Sequence, residues 1–298
     1  MKRPEFNVSL ADRRRREERE RRRSQFRIAA LLVALLLVIA AALVFTLRPP
    51  RRAGDGSLAS AAAAWDDGDY ALAAERYEEY LGRSPEGEAS LQARFQLANI
   101  YHLNLQRHDR ACPHYEEFLR QAPAHAEAAT ARERLAQSLA ELGRSYEAIA
   151  EYEKLNPQDA NERRRIRLQI ADLYFDQKNY SQALTEYAKV TEGAQYDDLS
   201  ERAHLREASI YHISRGEYKP ALPIYQKLAS QTANPDVRRR ALYGISDCLA
   251  GLSEFDQAIA TLREIEDAGE QEYIARKTAE LERQKREAEQ ARNAVQQR

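Results

Sequence analysis

Two patterns of apolar and polar positions divide the chain. From Ile28 to Leu47 the sequence IAALLVALLLVIAAALVFTL runs for twenty residues without a charge, and only Thr46 is polar. A helix of that length covers about 30 Å, the thickness of a bilayer's hydrocarbon core, and satisfies its own backbone groups there. Further on, the apolar positions become periodic. One small residue recurs at Ala73, Ala111, Ala148, Ala183, Ala221 and Ala258. Four residues after each stand Tyr77, Tyr115, Tyr152, Tyr187, Tyr225 and Leu262; seven after stand Tyr80, Phe118, Leu155, Val190, Leu228 and Ile265. Offsets of four and seven share one helical face.

Each of these helices is preceded by another. Its small residue is Ala98, Ala136, Ala171, Ala208 or Ser246, with Tyr101, Leu139, Tyr174, Tyr211 or Leu249 three residues on. Small residues let two helices approach, and the large ones fill the space between them. Gly68-Asp69-Tyr70, Lys178-Asn179-Tyr180 and Gly216-Glu217-Tyr218 read as the turns joining the helices. The chain is thus expected to be all-α: a transmembrane helix at 28–47, a linker at 48–57, a solenoid of about six helix pairs at 58–268, and a charged helix at 269–298.

The paired pattern resembles the tetratricopeptide repeat family over about residues 57–266. The departures are Arg94, Arg132 and Arg167 where the family usually carries Trp, and a terminal proline surviving only as Pro85 and Pro123, with Pro157 displaced. The spacing from one small marker to the next is in every case longer than the family's usual period of about 34. A longer period, spanning three of these repeats, relates Ala73 to Ala183, Ala111 to Ala221 and Ala148 to Ala258. It extends to Ile100-Tyr101-His102 and Ile210-Tyr211-His212, and to Pro113 and Pro223. We read the body as two tandem copies of a three-repeat unit. Both prolines are expected in the first turn of their helices, where the missing N–H has no partner to lose.

In the family, the first helix of each pair lines the inner curve of the superhelix. Carried over residue by residue, that surface comprises Phe95, Asn99, His102, Leu168, Asp172, Phe175, Leu205, Ser209, His212, Tyr243 and Asp247. Aromatic rings beside amides and acids suit an extended or helical peptide. A clamp for acidic C-termini is disfavoured, since of its Lys, Arg and Asn set only Asn99 fits. His102 and His212 hold matching places, which fits either inheritance of a packing role from the duplicated unit or a pH-sensitive or ligand-contacting pair.

Charge changes the picture at one end. The 298 residues carry 46 basic and 47 acidic side chains, but residues 1–52 alone hold 14 basic and 5 acidic. Eleven basic residues precede the apolar run and Arg48, Arg51 and Arg52 follow it. That bias sets residues 1–27 in the cytoplasm as a basic tail and the body outside. A cleaved signal peptide is the rival, but its apolar core is shorter and ends in small residues rather than in Arg48-Pro49-Pro50-Arg51-Arg52.

Chemistry is sparse. His108, Cys112 and His114 do not make the four convergent ligands of a structural zinc. Cys112 and Cys248 are expected as buried free thiols. The pairs Asp66-Asp67, Glu78-Glu79 and Asp197-Asp198 have no nucleophile or base beside them, and the acidic body does not suit nucleic acid. No enzyme activity, metal or cofactor is expected. In the terminal helix Ile274 and Leu281 are expected to cap the last repeat, because the second row of a coiled coil is polar at Lys277, Gln284 and Arg298. The reading is a noncatalytic scaffold in a bacterial inner membrane. By resemblance to periplasmic assembly, Tol-Pal-associated and translocon-associated repeat proteins, its body binds other envelope proteins or peptides. The alternatives are a chaperone holding unfolded clients and a ligand-sensing or catalytic accessory.

Overall fold

A computed structural model describes residues 57–83, 86–193 and 196–296. The basic tail, the apolar run 28–47 and nearly all of the linker 48–57 lie outside the described residues. Among those described, no helix is long and apolar enough to cross a membrane.

The body holds thirteen α-helices and no strand among the described residues. They pair as α1 (Leu58–Asp66) with α2 (Tyr70–Arg83), α3 (Glu88–Asn99) with α4 (His108–Gln121), and α5 (Ala128–Glu141) with α6 (Ser145–Glu153). The series continues with α7 (Ala160–Asp176) and α8 (Tyr180–Thr191), α9 (Asp198–Ser209) and α10 (Tyr218–Gln231), and α11 (Pro235–Gly251) and α12 (Phe255–Arg263). A final helix, α13 (Gln271–Gln296), closes the stack. Substantial helix contacts join only neighbours or next neighbours along the chain. The core accordingly passes from one hairpin to the next in overlapping slabs, as stacking repeats require.

All six marker alanines are fully buried, and the residues four places on are buried with them. Ala98, Ala136, Ala171, Ala208 and Ser246 are likewise without exposure. The joining turns use left-handed backbone at one point each. Gly68, Gln106, Gly143, Lys178, Gly216 and Ser253 all have positive φ, and the last three repeat the places of the first three in the second half of the body. Glycine takes this conformation freely; Gln106, Lys178 and Ser253 adopt it against the Cβ. Tyr70, Tyr180 and Tyr218 each begin the helix after their turn.

The two prolines are not in first turns. Pro113 and Pro223 lie inside α4 and α10, each at the sixth position. Each is exposed, so the helical carbonyl left without a donor faces water. The helices start earlier than expected because the preceding turn is tight, with Arg107 and Glu217 N–H donating back to the Tyr101 and Tyr211 carbonyls at 2.7 Å.

Two turns of π-helix, Ile100–Asn104 and Ile210–Ser214, extend α3 and α9. In both, the bond spans five residues: Leu105 N–H donates to Ile100 O and Arg215 N–H to Ile210 O, each at 3.0 Å. The two hairpins that contain them are longer by one residue between their small markers. Ala98 to Ala111 and Ala208 to Ala221 each exceed by one the spans Ala136 to Ala148, Ala171 to Ala183 and Ser246 to Ala258. The π turn absorbs the extra residue, and it turns Leu103 and Ile213 out to solvent.

Candidate docking face

The first helices α3, α7, α9 and α11, with the π turns after α3 and α9, carry the residues expected to meet a partner. Several are committed to one another instead. Phe95 is buried, its ring 5.2 Å from Phe118 and 6.4 Å from Tyr115. Asn99 is buried too; its Oδ1 accepts from the Tyr115 hydroxyl at 2.8 Å and from Arg134 Nη1 at 2.5 Å. Leu168 is core. These three side chains are spent on packing and do not present a surface.

The contacts of Asn99 recur. Asp172 accepts from the Tyr187 hydroxyl at 2.7 Å, from Arg202 Nη2, and pairs with Arg206 at 3.5 Å. Arg206 also lies 4.8 Å over the Phe175 ring, as Arg134 lies 5.8 Å over Phe95. At the end of the stack Asp247 pairs with Lys277 at 2.6 Å, and Lys277 sits 5.8 Å over Tyr243, whose hydroxyl donates to Glu270. Each acceptor and aromatic from one first helix thus meets a cation from the next first helix, or from α13. Burial and the carboxylate contact push the Tyr187 hydroxyl pKa up; burial chiefly raises that of Tyr115, against Arg134. Both phenols stay protonated donors, as buried tyrosines bonded to an acceptor should.

The sequence reading missed the cations. Arg134 stands one repeat beyond Asn99, and Arg206 one repeat beyond Asp172. A search at repeat spacing for opposite partners would have paired them.

The remaining expected positions are half-buried: His102, Leu205, Ser209 and His212. Leu205 packs beside the core of the last hairpins. His102 Nδ1 lies 2.9 Å from Ser138 Oγ. His212 does not reproduce that bond; its Nδ1 is buried without a hydrogen-bond partner, between the Tyr218 and Tyr225 rings at 5.8 and 6.1 Å. The paired positions have therefore diverged in their surroundings.

The tetratricopeptide repeat family model matches residues 58–126 and again 100–162. The matched residues are similar to tetratricopeptide repeats. They span α1 to the start of α7. The C-terminal part of a tetratricopeptide repeat-containing protein from Cytophaga hutchinsonii superposes with a TM-score of 0.53 at 17% identity, over 69% of this chain and 76% of that one. A tetratricopeptide repeat protein from Parabacteroides merdae has a TM-score of 0.49 at 20% identity, over 69% and 75%. No curated protein matches the chain in sequence. The Cytophaga likeness gives the body the fold of a tetratricopeptide solenoid.

Within that solenoid, no group of three or more His, Cys, Asp or Glu among the described residues could hold a metal. Cys112 and Cys248 are buried free thiols, and burial lifts their pKa to about 11 and about 12, far from a reactive thiolate.

Proposed function

We propose that this chain is a noncatalytic scaffold, held in a bacterial inner membrane by residues 28–47, whose tetratricopeptide body docks other envelope polypeptides on the periplasmic side. Tetratricopeptide repeat proteins generally act as scaffolds for protein–protein interaction. The observation that carries the reading here is the stack itself: six hairpins packed in chain order, with cations of the next element engaging the first-helix acceptors at Asn99–Arg134, Asp172–Arg206 and Asp247–Lys277. The tether rests on the uncharged run from Ile28 to Leu47 and its eleven-to-three basic asymmetry. Docking is assigned to half-buried side chains of α9 and of the π turn after it: Leu205, Ser209 and His212. Lipid contact belongs to the apolar run, with no nucleic acid, metal or cofactor in the reading.

The test is affinity capture from native membranes with the wild-type chain and with Leu205→Asn plus Ser209→Arg. The expected result is one defined set of partners for wild type and at least a tenfold loss of it for the variant. Equal recovery of the same partners by both would overturn the docking face. General suppression of aggregation of unrelated proteins, without a defined partner, would favour the chaperone instead.

A further inference from the structure

The second and third hairpins meet at an arrangement found only in the first half of the body. Ser138 on α5 is fully buried. Two histidines converge on its one hydroxyl: His102 Nδ1 at 2.9 Å, from the π turn after α3, and His108 Nδ1 at 3.4 Å, from the first residue of α4. Their rings stand edge to face, 5.3 Å apart. The equivalent places in the second half hold His212, Tyr218 and Cys248. There the second histidine and the hydroxyl are both gone.

A serine hydroxyl has one proton to give and lone pairs to receive. With both rings neutral, or with one protonated, Ser138 donates to one Nδ1 and accepts from the other. With both protonated, two Nδ1–H groups face one oxygen, and two imidazolium charges lie a ring's breadth apart in a part-buried site. The groups around the pair do little to offset this. From α4 come His108 itself and Tyr115, whose ring is 6.2 Å from His102. From α5 come Arg134, which adds positive charge, and the Gln137 side chain and Glu141, which both favour the charged form of His102 without outweighing burial, His108 and Arg134.

We propose that His102, His108 and Ser138 form an acid-sensitive joint: one proton is accommodated between the rings, and the second loosens the packing of the second hairpin on the third. The second half, with Tyr218 and Cys248 in place, lacks the device. The direction of the His102 shift agrees, since burial first and then His108 and Arg134 hold it below the ordinary histidine value. The inference does not depend on the docking partner or the membrane tether.

The test uses the full-length chain at pH 7.5 and pH 5.0, with amide hydrogen exchange corrected for its intrinsic pH dependence. Segment 99–105 should open on the order of tenfold faster at the lower pH, well beyond the smaller rise that the single buried His212 gives the matching segment 209–215. His108→Tyr, the residue the second half carries there, should abolish the difference. It should also return His102 toward its ordinary titration, read by exchange at the imidazole C2 position. An equal acid response of the two segments in the wild-type chain would overturn the proposal, whatever the variant does. So would a His108→Tyr chain that retains the full response.

Discussion

Asn99 has one amide oxygen and two donors pointed at it. The Tyr115 hydroxyl comes from within its own hairpin and the Arg134 guanidinium from the next. Asn99→Ala would leave a fully buried phenol without its acceptor and free the arginine at once. The expected loss is about 1–3 kcal/mol, the cost of an unsatisfied buried donor, read as a lower midpoint in urea unfolding. An unchanged midpoint would mean that water replaces the amide. Helical spacing put Phe95 and Asn99 on one face correctly, but a single helix's periodicity does not say what stands opposite. What stands opposite is a cation from another repeat, and so residues that looked like a waiting groove are already engaged. Leu168 was misplaced for a simpler reason: it lies one turn before Ala171 on the packed stripe itself, in the core with Tyr187, Val190 and Ala203.

The π turns work at the scale of the element. They let α3 and α9 carry one residue more than their counterparts without displacing the marker alanines. Leu103 makes little core contact, being 52% exposed. Deleting it should turn Ile100–Asn104 into ordinary α-helix and give the second hairpin the shorter spacing of its neighbours. We expect full helical circular dichroism and a melting temperature within a few degrees of wild type. Collapse of the fold would mean that the wider turn itself is required. This extra residue could be read from the unequal spacing of the small markers, whereas the conformation that absorbs it could not. A second element is more brittle. A Cβ on Gly244 of α11 would lie 2.6 Å from the Tyr225 ring, which is buried and cannot swing away. Gly244→Ala should cost about 1–3 kcal/mol by overpacking, despite its better helix propensity. A neutral or stabilising result in thermal unfolding would show that α10 and α11 can separate freely.

Across the whole body, three histidines act in one direction. His102, His114 and His212 are each held below the ordinary histidine pKa, with burial the leading cause in every case. The unfolded chain therefore binds protons more readily than the folded one. Their contribution is complete above about pH 6.5 and drains as pH falls through that value toward the folded pKa, by at most about 1.4 kcal/mol per pH unit for each. Paired carboxylates such as Asp197, held far below the usual range by Arg164, lose their contribution only at stronger acidity. The melting temperature should thus be lower at pH 5.5 than at pH 7.5, with the added loss from carboxylates confined below about pH 4. A flat profile from pH 7.5 to 5.5 would contradict this assignment.

The stacking order and the recurrence of the three-repeat unit were legible because each hairpin solves its packing with its own residues and its neighbours'. A docking surface has no such internal constraint, and its residues must be found by what they touch. A photoreactive side chain placed at position 205 in the full-length chain, illuminated in intact cells, tests the account most directly. A discrete adduct with a single envelope polypeptide, absent when the same group stands at the exposed position 226 on α10, is the predicted result. No adduct at 205, or indistinguishable adducts at both positions, would contradict it.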